Sequence, residues 1–237
     1  METLVDFHTD QSVASIWSAV HQAWPVYLAE LLQPALPSGY DALPGVMYRR
    51  EGDAVVLRSE HAWSEPQSPT EAVPNRVLSI ESSQTFSEVL ITRDDDQLAG
   101  LIEIISPSNL DRPHSRAAIC GKVEAAFQDR VGVAWIDTVN TYTTNLHRLL
   151  LQSLGEPDPE ADRIYAASYA KAVRHDELAI WYAPLAIGQP VRDVPLVLKG
   201  GASVNVPFAA SYALLWERLS IKRVLADAAR ESLPPSP

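Results

Sequence analysis

The chain has 237 residues, 46% of them hydrophobic, and carries 30 acidic against 19 basic side chains for a net charge of −11. That size suits one large domain or a domain with an appended module, and the acidic balance disfavours broad, non-specific nucleic-acid binding while allowing a local basic cleft. No apolar run reaches the ~18–20 residues of a membrane span, the start Met1-Glu2-Thr3-Leu4 lacks the basic segment of a secretory signal, and the lone Cys120 cannot form an intrachain disulfide, so a cytoplasmic protein is expected.

Residues 13–33 place Ile16, Val20, Trp24, Tyr27, Leu28 and Leu31 at helical spacing, with Pro25 expected to kink or split the helix and Pro34, Pro37 and Gly39 to end it. Two short strands are expected at 45–50 and 53–58 around a turn at Glu51-Gly52, followed by a long Pro-, Ser- and Glu-rich loop over 60–80. A hairpin follows. Phe86 to Arg93 alternates apolar and polar, Asp94-Asp95-Asp96-Gln97 turns, and Leu98 to Ile105 returns almost wholly apolar. This contrast predicts an outer strand paired with a central one.

After Pro107 a helix is expected over 114–130, buried along Ile119, Val123, Ala126 and Phe127, and then a buried strand over 133–139. Residues 155–162 read as an acidic loop, 163–170 and 177–184 as strands, and the stretch to 199 as an extended segment punctuated by proline. Gly200-Gly201 turns into a last amphipathic helix over 207–229 carrying Phe208, Tyr212, Leu215, Leu219 and Val224 on one side. The organisation expected is a core over 1–155, a strand-and-helix extension over 156–230 packed on it, and a disordered tail over 231–237.

The chemistry concentrates at Leu101-Ile102-Glu103-Ile104-Ile105-Ser106-Pro107-Ser108. A carboxylate inside a buried strand needs a partner or a ligand. The residues leave two settlements open for Glu103: an ion pair with Arg116 or Lys122, or a Mg²⁺ or Mn²⁺ ion shared with Asp53, which opens the strand at 53–58. Lys122 sits at the edge of the apolar helix stripe, about 60° around from Ile119. Arg112, His114 and Arg116 cluster where that helix starts and could face phosphate. Asp94-Asp95-Asp96 reads as a solvated turn, Cys120 as inert packing, and the six histidines show no zinc spacing.

Residues 101–109, with Arg116, Lys122, Gly132-Val133 and Trp135-Ile136-Asp137, resemble the core of bacterial restriction-endonuclease-like domains of the PD-(D/E)xK superfamily, and within them a bacterial domain family of unknown function. The resemblance implies a mixed α+β fold with an α-β-β-β-α-β core, a central mixed sheet flanked by helices, and metal-dependent DNA cleavage in active relatives. By position it makes Asp53 and Glu103 metal ligands, Lys122 a catalytic lysine displaced onto the helix, and Arg112 and Arg116 substrate-facing. Gly52, Ser106 and Leu110 depart from the pattern. Three functions follow as expectations: a metal-dependent endonuclease acting on DNA, a catalytically inactive relative serving as a binding or assembly module, and a scaffold that forms a homodimer through the helix near 207–229.

Overall fold

A computed structural model describes residues 2–8, 16–49, 84–93, 97–156, 162–171, 177–221, 223 and 226. Six strands form one mixed sheet in the order β1 (Tyr40–Arg49), β2 (Gln84–Arg93), β3 (Gln97–Ile104), β4 (Gly132–Asp137), β5 (Tyr165–Lys171), β6 (Leu178–Pro184). Among the described strands only β3 and β4 run parallel. A parallel pair needs a crossover, here supplied by the short turn of helix α2 (Pro107–Leu110) and by α3 (Pro113–Gln128). Strands on both sides of residue 155 belong to this sheet.

Side chains alternate across β3, so its faces feed two cores. Ile102 and Ile104 pack with α1 (Trp17–Leu32) and the C-terminal helix. Leu101 and Ile105 pack with Ile119, Val123 and Phe127 of α3 and with Leu146 and Leu150 of α4 (Leu146–Ser153). Helix α4 escaped the sequence reading, although Asn145 caps it by accepting from Arg148 N at 2.9 Å and its apolar residues follow at helical spacing.

Helix α1 runs through Pro25 without splitting. Proline has no N–H for the carbonyl four residues back, which leaves His21 O without its usual helical donor. Ser87 Oγ of β2 donates to that oxygen, and His21 Nε2 donates to Ile104 O of β3 at 2.9 Å. The defect in the helix thus becomes its anchor on the sheet.

Strand β2 corrects the expectation of an outer strand. It lies between β1 and β3, and its polar residues Ser87 and Glu88 are buried because each has a partner inside the protein. The first strand expected at 45–50 begins earlier, at Tyr40. The strand at 53–58, the loop over 60–80 and the Asp94–Asp96 turn lie outside the described residues.

A second sheet, β7 (Val194–Val197) with β8 (Ser203–Val206), closes around two glycines with positive φ, Gly200 and Gly201. It docks on the core through Ser168 Oγ to Pro195 O and Lys199 N to Ala99 O. The second bond uses an irregularity: the β2–β3 register shifts between Ile91 and Thr92, leaving Ala99 without a strand partner there.

Helix α5 (Phe208–Arg218) is interrupted where the sequence suggests one continuous helix: Ser220 adopts φ 51° just after it, and Ile221, Arg223 and Ala226 are helical again beyond the break. Phe208, Tyr212 and Leu215 are fully covered within the chain, and Trp24 Nε1 of α1 donates to Ser211 Oγ at 2.9 Å. Three residues of the helix face expected to dimerise are thus covered within the chain. Among the described residues no helix is long and apolar enough to cross a membrane.

Two glycines give opposite expectations. A Cβ at Gly132 would lie 1.8 Å from Val197 O, backbone that cannot yield, whereas one at Gly121 on α3 would meet nothing within 4 Å. Gly132→Ala is expected to destabilise by ~3 kcal/mol or more, and Gly121→Ala to stabilise by ~0.5–1 kcal/mol through helix propensity, both read from urea unfolding midpoints.

Candidate functional site: a buried carboxylate–lysine centre

Glu103 faces the α3 side of the sheet, and antiparallel register sets Glu88 of β2 directly opposite it. Residues paired in this way project to the same face. Two carboxylates are thus forced together at 0% and 1% exposure. Lys122 reaches between them from α3: its Nζ donates to Glu103 Oε1 at 2.5 Å and to Glu88 Oε2. The Lys122 side chain is 14% exposed, so the stem is covered and the ammonium faces inward.

Of the two ion pairs open to Glu103, the structure forms the one with Lys122. Arg116 instead donates from Nη1 to Leu110 O at 2.5 Å, closing the end of α2. Arg112 is exposed and lies 3.8 Å from Asp111. Asp53 and Arg58 lie outside the described residues. Glu88 is the residue that sequence reasoning missed. It sits in an alternating strand where a polar residue reads as solvent-facing, and the available signal was the hairpin register that pairs it with Glu103.

One ammonium cannot neutralise two carboxylates. Burial, only partly opposed by Lys122, pushes the Glu103 carboxyl up to about 7, and the nearby Glu88 adds to the rise. Burial pulls Lys122 down, but Glu103 and Glu88 outweigh it and hold the ammonium above its ordinary range. The second oxygen of Glu88, Oε1, is buried without a hydrogen-bond partner. It lies on the Gly45 side of the centre, where a Cβ on Gly45 would come within 3.7 Å of it.

Hard carboxylate oxygens on adjacent strands, one of them unpartnered, fit Mg²⁺ or Mn²⁺, which combine one or two carboxylates with water and phosphate oxygens. Glu88 and Glu103 are the residues that would hold such an ion. Among the described residues no group of three or more His, Cys, Asp or Glu could do so.

Further along the same face, Asp137 ends β4 opposite Tyr165. Its Oδ1 accepts from Val139 N at 2.9 Å, while Oδ2 is buried and unpartnered. Burial raises its pKa to about 8. Beside Tyr165, the ring of His147 packs 4.8 Å from Tyr182 and its Nδ1 lies 2.6 Å from Tyr169 OH. The tyrosines and His147 of this annex were not read from the sequence. Cys120 is buried on α3, and burial raises its thiol to about 11, as inert packing requires.

The chain matches no known family model, and neither a curated protein nor a solved structure matches it.

Removing the ammonium alone strands two buried carboxylates. Lys122→Met is expected to destabilise by ~3–5 kcal/mol at pH 7, and adding Glu88→Gln and Glu103→Gln to recover most of that loss, measured by urea unfolding. Asp137 gives a pH test. Its folded pKa exceeds the unfolded one, so the folded state holds the extra proton and stability falls as pH rises from about 4 to about 8. Asp137→Asn should flatten that slope, raising stability by about 5 kcal/mol at pH 8 with little change at pH 4, read from urea unfolding at both pH values.

Proposed function

We propose that this protein is a restriction-endonuclease-like member of the PD-(D/E)xK superfamily whose centre serves divalent-metal-dependent hydrolysis of phosphodiester bonds in DNA. The observation that carries the reading is Lys122 bridging Glu88 and Glu103 on neighbouring strands. A pair of carboxylates with an adjacent lysine is the equipment such chemistry needs. Among the described residues the element order α1-β1-β2-β3-α2-α3-β4 supports it as well, since apart from the single turn of α2 it agrees with the α-β-β-β-α-β order that the resemblance implies.

In this reading Glu88 and Glu103 bind Mg²⁺ or Mn²⁺, with Asp53 as a further ligand. The bound ion would lower the pKa of water and offset charge on the phosphodiester. Lys122 holds the two carboxylates together in the ion-free protein, and Arg112 and Arg116 at the start of α3 are the residues that would meet backbone phosphates. With a net charge of −11, contact with DNA must be local and salt-sensitive.

A second reading is favoured by a specific observation. Carboxylates at 0% and 1% exposure, both paired with one internal lysine, suit a catalytically inactive relative kept as a binding or assembly module. Ser106 and Leu110 point the same way.

Calorimetric titration with Mn²⁺ separates the two. The native chain is expected to bind in the millimolar range or tighter, with Glu103→Gln weakened about tenfold or more. Cleavage of single- and double-stranded DNA with Mn²⁺ should then appear in the native chain and vanish in Glu103→Gln. A native chain that binds no Mn²⁺ ends the phosphodiesterase reading and leaves the module.

A further inference from the structure

Resting on the metal-dependent reading above, we infer that Lys122 is a resident cation that gates the centre: its ammonium holds the place of the divalent ion, and loading requires Lys122 to swing out to solvent. Charge balance and geometry carry the inference together. Glu88 and Glu103 both contact the same Nζ, so the ammonium occupies the point where their oxygens converge. With all three ionised, these two carboxylates and one ammonium carry one net negative charge, and Glu88 Oε1 is buried without a hydrogen-bond partner on the Gly45 side.

A divalent ion added while Lys122 stays would leave net positive charge in a buried site, with two cations crowded between the same oxygens. Exchanging Lys122 for the ion makes the centre neutral. Like charges a few ångströms apart are costly where water cannot screen them, so exchange is the favoured course.

The structure gives Lys122 a way out. It sits at the edge of the buried stripe of α3, partly exposed through its side chain. Its helical neighbours toward solvent are Ala118, Gly121 and Ala125, and nothing lies within 4 Å of where a Gly121 Cβ would be. A four-carbon stem can rotate over such small residues and carry the ammonium to water while the helix stays in place. The arrangement explains how one centre can be closed and still suit an ion. Lys122 keeps the carboxylates close and their charge compensated until a stronger cation arrives.

Amine acetylation of the full native chain, read by peptide mass spectrometry, tests this alongside the Mn²⁺ titration. Lys122 is expected to be protected without metal and to label severalfold faster at saturating Mn²⁺. Lys122→Met, if folded, is expected to bind Mn²⁺ about tenfold tighter than the native chain, with that binding lost on adding Glu103→Gln. If Mn²⁺ binds the native chain and Lys122 stays equally protected, the gate is overturned and the metal-dependent reading stands. A folded Lys122→Met with unchanged or weaker affinity overturns it equally. If the native chain binds no Mn²⁺, the metal-dependent reading fails and the gate with it. Should Lys122→Met not fold, the labelling of the native chain decides alone.

Discussion

The ammonium of Lys122 held between Glu88 and Glu103 is the constraint around which the sheet and helix α3 are arranged. Each partner comes from a different element, and none can be buried in its charged form without the others. The hairpin register must align Glu88 with Glu103, and the crossover helix must arrive with Lys122 at the edge of its apolar stripe. A hydrophobic contact tolerates sliding, whereas this one fixes register, since a one-residue slip would move either carboxylate to the opposite face. The triad therefore specifies the arrangement even where it adds little net stability.

The opposite face of the same strands is held by a matching device. Pro25 removes a helical donor, Ser87 supplies the replacement, and His21 reaches Ile104. Ser87 and Ile104 are paired with each other, one position along from the Glu88–Glu103 pair. A carbonyl oxygen can only accept, so His21 Nε2 carries the proton, and burial keeps the ring below its ordinary pKa. The two carboxylates are thus fixed from behind by a neutral histidine and from the front by a charged lysine.

Much of this was legible in the sequence, for reasons that differ by element. The stripe of α3 could be read because Ile119, Val123, Ala126 and Phe127 all serve one face, and the same stripe located Lys122. Glu103 stood out because it interrupts an apolar strand. Glu88 did not, because one polar residue among several in an alternating strand carries no sign that its face is covered. The same ambiguity misplaced β2 at the outside of the sheet. Pro25 was read as a break because sequence shows the missing donor but not the hydroxyl of Ser87 that substitutes for it. The break after α5 at Ser220 left no composition signal, since helical spacing continues to Val224. Asp53 was singled out because it opens an expected strand and could share an ion with Glu103, and Glu88 is the carboxylate that the described residues set beside Glu103.

Stability and the proposed chemistry draw on the same three side chains, and this makes them antagonists. Whatever strengthens the hold of Lys122 on Glu88 and Glu103 also deepens the well from which the lysine must be displaced. A looser centre would expose carboxylates to water and ease entry of a cation, but it would weaken the register between β2 and β3. The unpartnered Oε1 of Glu88 marks where the compromise falls. A centre evolved for structure alone would gain by pairing that oxygen or by replacing Glu88 with an apolar residue, because a buried ion network seldom outperforms good packing. That half-satisfied carboxylate, beside Gly45, is a feature that supports the ligand-binding role proposed above.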